Sequence, residues 1–162
     1  MKLTLRRYAV LLCLQFTCLL FDLFFNTFAH FFLPSKMQFS ILLFVCQDIV
    51  IICEYVLITF TVHSTCVYQV GGASVILRNC KFFLLTILTY FLLSAAQHFW
   101  IIYNMIAEPT TSWSHALIVL AFVQRLVSLV YYHACKETAL TVSDPRYYEE
   151  NIDWIAEQLS YK

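Results

Sequence analysis

Four ionisable residues lie inside long apolar stretches of this chain: Asp22, Asp48, Glu54 and Arg125. Each costs at least about 2.5–3.5 kcal/mol near the centre of a membrane-spanning helix if it faces lipid without a partner. Residues of this kind either line a path for protons or ions, or bond to one another and fix the packing of neighbouring helices. We favour the second interpretation for two reasons. One arginine beside two aspartates cancels part of their negative charge, and no broken-helix substrate site is evident.

The depths of three of these charges agree. A helical rise of about 1.5 Å per residue places Asp22, Asp48 and Arg125 roughly 14–16 Å from the same membrane edge, whereas Glu54 lies closer to the opposite edge. Three helices that each carry a charge at one depth predict an Asp22–Arg125–Asp48 cluster. With its polar neighbours, the expected structural intramembrane cluster contains Asp22, Asn26, Gln47, Asp48, Gln124 and Arg125.

The composition predicts the elements that carry this cluster. Of 162 residues, 61% are apolar and 12% are charged, against about 45–50% and about 25% in soluble domains. These values exclude a disordered chain, a basic nucleic-acid binder and a soluble two-domain enzyme. A membrane span needs about 20 mostly apolar residues, and four stretches meet that length: 8–33, 39–62, 82–106 and 114–135. We predict an all-α membrane protein with a four-transmembrane-helix bundle over residues 1–135.

The connections between these spans set the predicted orientation. Lys and Arg in short flanks mark the cytoplasmic side, and eight bases fall on one side: Lys2, Arg6, Arg7, Arg78, Lys81, Lys136, Arg146 and Lys162. The opposite side has only Lys36, so both termini are expected in the cytoplasm. The second helix either stops near His63 or continues to Val70, and residues 73–80 are expected to form a separate, short interfacial helix.

The predicted cytoplasmic tail, residues 136–162, contains a short C-terminal amphipathic helix over about 145–160. Asp144 suits the N-cap and Pro145 the first helical position. Tyr148, Ile152, Ile155 and Leu159 repeat at the spacing of one helix face. This face either packs back on the bundle or membrane, or docks a cytoplasmic partner, and the pattern does not separate these alternatives. The acidic polar face weakens attachment to anionic lipid.

Catalytic and cofactor patterns are missing from the sequence. The chain has two glycines, no G-x-S-x-G and no H-E-x-x-H motif, so no enzyme, cofactor or nucleic-acid partner is expected. Its seven cysteines include no C-x-x-C pair, which argues against a redox dyad or a disulfide framework. Scattered ligands such as His63, Cys66 and Cys80 do not complete a tetrahedral zinc site. We therefore expect no metal.

An ordered series of short motifs resembles the transmembrane protein 138 family. The series is Asp22-Leu-Phe-Phe-Asn26, Gln47-Asp-Ile49, Tyr68-Gln-Val-Gly71, His98-Phe-Trp100, Phe122-Val-Gln-Arg-Leu126, Lys136-Glu-Thr-Ala139 and Asp144-Pro-Arg-Tyr-Tyr148. The resemblance covers the chain from about Leu14 to Trp154. It includes Asp22, Asp48 and Arg125, so the polar cluster belongs to the shared pattern.

This resemblance implies a small four-span protein, without enzymatic activity, that is required to build or maintain cilia. It implies a position at the ciliary base, transition zone and cilium membrane, with a further association with vesicle or vacuole membranes. The implied partners are the lipid bilayer and other transition-zone membrane proteins. The alternative is a small proton- or ion-coupled transporter or channel subunit that uses Asp22, Asp48, Glu54 and Arg125.

Overall fold

A computed structural model describes residues 5–32, 37–65, 68, 73–107 and 114–143. These residues form four long helices: α1 (Leu5–Phe32), α2 (Met37–His63), α3 (Ala73–Ala107) and α4 (His115–Val142). Each helix is long and apolar enough to cross a membrane. A helix satisfies its backbone N–H and C=O groups internally, as the hydrocarbon interior requires. The predicted all-α, four-helix membrane fold is confirmed.

The first two helices begin and end within a few residues of the predicted spans. Helix α2 stops at His63, where the amide of Ser64 bonds to the carbonyls of Phe60 and Thr61 at 3.1 Å each. The described helix thus ends at His63, and most residues of the alternative continuation to Val70 lie outside the described part of the chain. At the start of α4, the Ser114 side chain caps the helix by accepting from the Leu117 amide at 3.3 Å.

The last two helices are longer than the predicted spans. Residues 73–80 are the start of α3, and not a separate interfacial helix, because no proline or glycine interrupts this stretch. Helix α4 likewise continues past Cys135 to Val142, so the first residues of the predicted tail belong to it. The expected amphipathic helix over 145–160, with Asp144, Pro145, Tyr148, Ile152, Ile155 and Leu159, lies outside the described residues.

Packing runs around the bundle in chain order. Helix α1 packs mainly on α2, α2 also packs on α3, and α3 packs on α4, while α1 and α4 meet at few positions. The main apolar core contains Ile51, Ile58, Phe83, Ile87, Tyr90 and Tyr131. Many large apolar side chains point outward, including Phe16, Leu85, Phe99 and Phe122. An apolar exterior around a partly polar interior matches a protein whose solvent is lipid.

Candidate functional site

The carboxylate of Asp22 lies at the centre of the bundle and accepts hydrogen bonds from each of the other three helices. Gln47 Nε2 of α2 donates to Oδ1 at 3.0 Å. The hydroxyls of Tyr90 in α3 and Tyr132 in α4 donate to Oδ2 at 2.8 and 2.7 Å. Asp22 is only 1% exposed. We refer to these four residues as the Asp22 node, because one side chain from every helix contributes to it.

The two tyrosines of the Asp22 node can bond to the carboxylate because their rings pack in the core while their hydroxyls extend to it. Tyr90 is completely buried, and its ring stacks on Tyr131 with centroids 4.8 Å apart and an interplanar angle of 15°. Asn26, one turn beyond Asp22, is half-buried and interacts with the Tyr132 hydroxyl. The aromatic packing thus fixes the positions of the two tyrosine hydroxyls.

The arrangement can hold helices together, because the buried Asp22 carboxylate is bonded to all three of the other helices. A carboxylate is an acceptor, and all three donors here are neutral protein groups. Hydrogen bonds across membrane helices contribute about 0.6–2 kcal/mol each. Within the described part of the chain, no three His, Cys, Asp or Glu side chains converge as a metal would require. The chemistry available at the Asp22 node is therefore helix association.

Two further polar contacts cross between helices. His98 Nδ1 of α3 lies 3.1 Å from Asp48 Oδ1 of α2, and the His98 ring stacks on Phe44 with centroids 4.3 Å apart. Gln124 Nε2 of α4 donates to Ser94 Oγ of α3 at 3.2 Å. These contacts join α2 to α3 and α3 to α4. Asp48 and Gln124 thus take part in interhelical bonding, but with partners outside the expected cluster.

Arg125 is not part of this polar interior, which corrects the expected Asp22–Arg125–Asp48 cluster. Its side chain is exposed on the outside of α4, whereas the adjacent Gln124 is buried. Successive helix residues are separated by about 100°, and here Gln124 faces the bundle while Arg125 faces outward. Of the residues expected to cluster, the structure brings Asp22, Asn26 and Gln47 together and places Asp48, Gln124 and Arg125 elsewhere.

Glu54 is the second carboxylate in the interior and lies two turns along α2 from Gln47. It is 1% exposed, and neither of its oxygens has a hydrogen-bond partner. The Cys135 thiol and the Tyr131 ring of α4 lie close enough for electrostatic interaction with it. A buried polar group without a hydrogen bond is unfavourable, so Glu54 is the one described interior carboxylate that the bundle does not satisfy.

Tyr132 is the residue that the sequence did not identify. Tyr90 lies at helical spacing with Thr86, Ser94 and Gln97 in the third span, so the sequence indicates a polar stripe that contains it. In α4 the adjacent Tyr131 and Tyr132 lie three to four residues before the predicted end of the span at Cys135, where tyrosines are common, so their positions gave no sign of an interior role. The Tyr132 hydroxyl nevertheless reaches the interior, where it donates to Asp22.

Comparisons with known proteins agree on one family. The family model for transmembrane protein 138 matches residues 40–158. Proteins named transmembrane protein 138 are 29% identical in Xenopus tropicalis, 33% in Danio rerio and 30% in Mus musculus. The alignments cover 94%, 89% and 93% of this chain, and the same shares of the three relatives. No solved structure matches this chain.

Proposed function

The chain belongs to the transmembrane protein 138 family, and from this premise we propose that it is a non-catalytic scaffold subunit of the ciliary transition zone. In this role it is required for cilium assembly and maintenance. It resides in the membrane of the ciliary base and cilium, with a further pool in vesicle or vacuole membranes. Its partners are other transition-zone membrane proteins.

The observation that supports a scaffold is the closure of the Asp22 node. A transport site needs groups that are open to a ligand in at least one state, often on broken helices. Asp22 instead has three protein donors and almost no exposure. Helices α1 to α4 are continuous through the described membrane region. A closed interior leaves the outer surface and the tail as the places where this protein acts.

We assign both termini to the cytoplasm on the strength of the flanking bases. The proposed docking element is the tail helix with Asp144, Pro145, Tyr148, Ile152, Ile155 and Leu159. Deletion of residues 144–162 is expected to leave membrane insertion intact and to remove a cytoplasmic partner from pull-downs. An unchanged set of partners would contradict docking through this segment. The matched variant is the full-length chain with Ile152, Ile155 and Leu159 all changed to Ser, which removes the apolar face and keeps the length of the tail.

Proximity labelling of the full-length protein in ciliated cells tests the ciliary assignment. The expected labelled set is enriched in membrane proteins of the ciliary base. Loss of the chain should shorten or abolish cilia, and re-expression should restore them. Labelling confined to the endoplasmic reticulum, together with normal cilia after loss of the chain, would contradict the proposal.

Glu54 favours one second candidate, a proton-coupled transporter or channel subunit. Its carboxylate is buried and has no hydrogen-bond partner, and ionisable residues inside membrane bundles often belong to proton relays. Arg125 cannot belong to this path, because it lies on the outside of α4. The test is proton flux into liposomes that contain the purified chain. Flux above empty liposomes that disappears in Glu54→Gln would favour transport, and no flux would favour the scaffold.

A further inference from the structure

The outward face of α4 carries a charge in the middle of an apolar surface. Ile118, Phe122, Arg125 and Leu129 follow each other at spacings of four, three and four residues, so they share one face of the helix. All four are exposed, with Phe122 and Leu129 each at 63%. We call these four residues the Arg125 face. The guanidinium is therefore flanked by apolar side chains for one turn on either side.

Arg125 lies near the middle of the membrane by its position in α4. It follows His115 by about 15 Å and precedes Lys136 by about 16 Å of helix. These two polar residues thus bracket about 31 Å, close to the thickness of the hydrocarbon core. Long basic side chains reach the headgroups from the ends of helices. From this depth Arg125 would have to thin the bilayer or find a partner.

The described carboxylates of this chain do not provide that partner. Asp22 and Glu54 are each 1% exposed inside the bundle, and Asp48 bonds to His98. Glu137 lies about 18 Å further along α4. A second copy of the chain would offer the same carboxylates, already enclosed or bonded. Among the described residues, therefore, no carboxylate of this chain is left to pair with Arg125, which directs the search for the complementary charge to a different protein.

We propose that the Arg125 face docks a transmembrane helix of another membrane protein, one that carries an Asp or Glu at the same depth. The apolar residues of the face supply packing area, and the carboxylate receives two parallel N–H bonds from the guanidinium. The ion pair is formed in lipid, where either charge alone is unfavourable. This inference rests on the proposed scaffold function and specifies the chemistry of one of its membrane partners.

Site-specific photo-cross-linking in membranes of ciliated cells tests this assignment. A benzophenone amino acid replaces Phe122 in the full-length chain, and cross-linked peptides are identified by mass spectrometry. The matched control places the same group at Leu88, an exposed apolar position of α3. The expected adduct at 122 contains a transmembrane segment with an Asp or Glu, and it is absent at 88. Its yield should fall about fivefold to thirtyfold in Arg125→Leu and persist in Arg125→Lys.

A charge exchange completes the test. Arg125→Glu should abolish the adduct, and replacement of the partner's carboxylate residue by Lys should restore it. Adducts only with lipid or with a second copy, or a yield that Arg125→Leu does not change, would overturn the proposal. The two proposals can fail separately. If the Arg125-dependent adduct forms but proximity labelling with the wild-type chain does not mark the ciliary base, the docking surface stands and the ciliary assignment is rejected.

Discussion

Asp22 and Glu54 are equally buried, each 1% exposed, yet the Asp22 carboxylate accepts three hydrogen bonds while neither oxygen of Glu54 has a partner. The two residues lie in the same bundle and differ in what the other helices bring to them. Tyrosine hydroxyls and an amide surround Asp22, whereas Glu54 faces mainly the apolar core. The same functional group should therefore stabilise the bundle at one position and destabilise it at the other.

Replacement of Asp22 by Leu should lower the free energy of unfolding by about 2–4 kcal/mol. The loss follows because Gln47, Tyr90 and Tyr132 would each keep a buried donor without its acceptor. Denaturation of the purified chain in bilayers or mild detergent provides the measurement. The control is Thr89→Val, since the exposed Thr89 hydroxyl donates only to Leu85 of its own helix. A loss no larger than in this control would contradict the prediction.

Replacement of Glu54 by Leu should leave the free energy of unfolding unchanged or raise it by about 1–2 kcal/mol. An apolar side chain of similar size removes an unsatisfied polar group from the core. The same unfolding assay, with Glu54→Gln as the polar control, gives the comparison. Marked destabilisation by Leu but not by Gln would mean that Glu54 has a polar partner in the folded bundle.

The contact between Asp48 and His98 should contribute a measurable coupling energy across α2 and α3. Asp48→Leu removes the acceptor, and His98→Phe removes the ring nitrogens while keeping an aromatic ring to stack on Phe44. A double-mutant cycle of unfolding energies should give a coupling of about 0.5–1.5 kcal/mol. Additive effects within about 0.3 kcal/mol would show that the 3.1 Å contact adds no stability.

Replacement of Arg125 by Leu should change the free energy of unfolding by less than about 0.5 kcal/mol, because the side chain has no described contact inside the bundle. Gln124→Leu is the matched comparison from the adjacent, buried position, where the bond to Ser94 is lost. It should be more destabilising than Arg125→Leu. The reverse order of the two variants would place the guanidinium inside the bundle.

Length and hydropathy were sufficient to predict four spanning helices, because the requirement for about 20 apolar residues leaves few alternatives. They were insufficient for the ends of α3 and α4. A helix continues until something breaks it, and residues 73–80 and 136–142 contain polar groups but no proline or glycine. The predicted third span begins at 82 and the predicted fourth span ends at 135, whereas α3 begins at Ala73 and α4 ends at Val142.

The polar interior was predicted only in part, because depth along a helix does not fix the direction of a side chain. Asp22 and Gln47 share a layer and are in contact. The sequence assigned Arg125 to the same depth, but its side chain is exposed on the outside of α4, and the α4 residue that bonds to Asp22 is Tyr132, seven residues further along. The expectation that charges avoid lipid led to an inward Arg125, whereas the side chain faces outward. Tyr132 was missed because hydropathy does not report which distant hydroxyl a carboxylate can reach.

A double-mutant cycle between Asp22 and Tyr132 tests most directly the central claim that the Asp22 node holds the four helices together. These residues join α1 to α4, the two helices that otherwise meet at few positions. Asp22→Asn and Tyr132→Phe keep both shapes and remove the charge and the donor. A coupling of about 1 kcal/mol or more in the free energy of unfolding is predicted. Additive effects would contradict the claim.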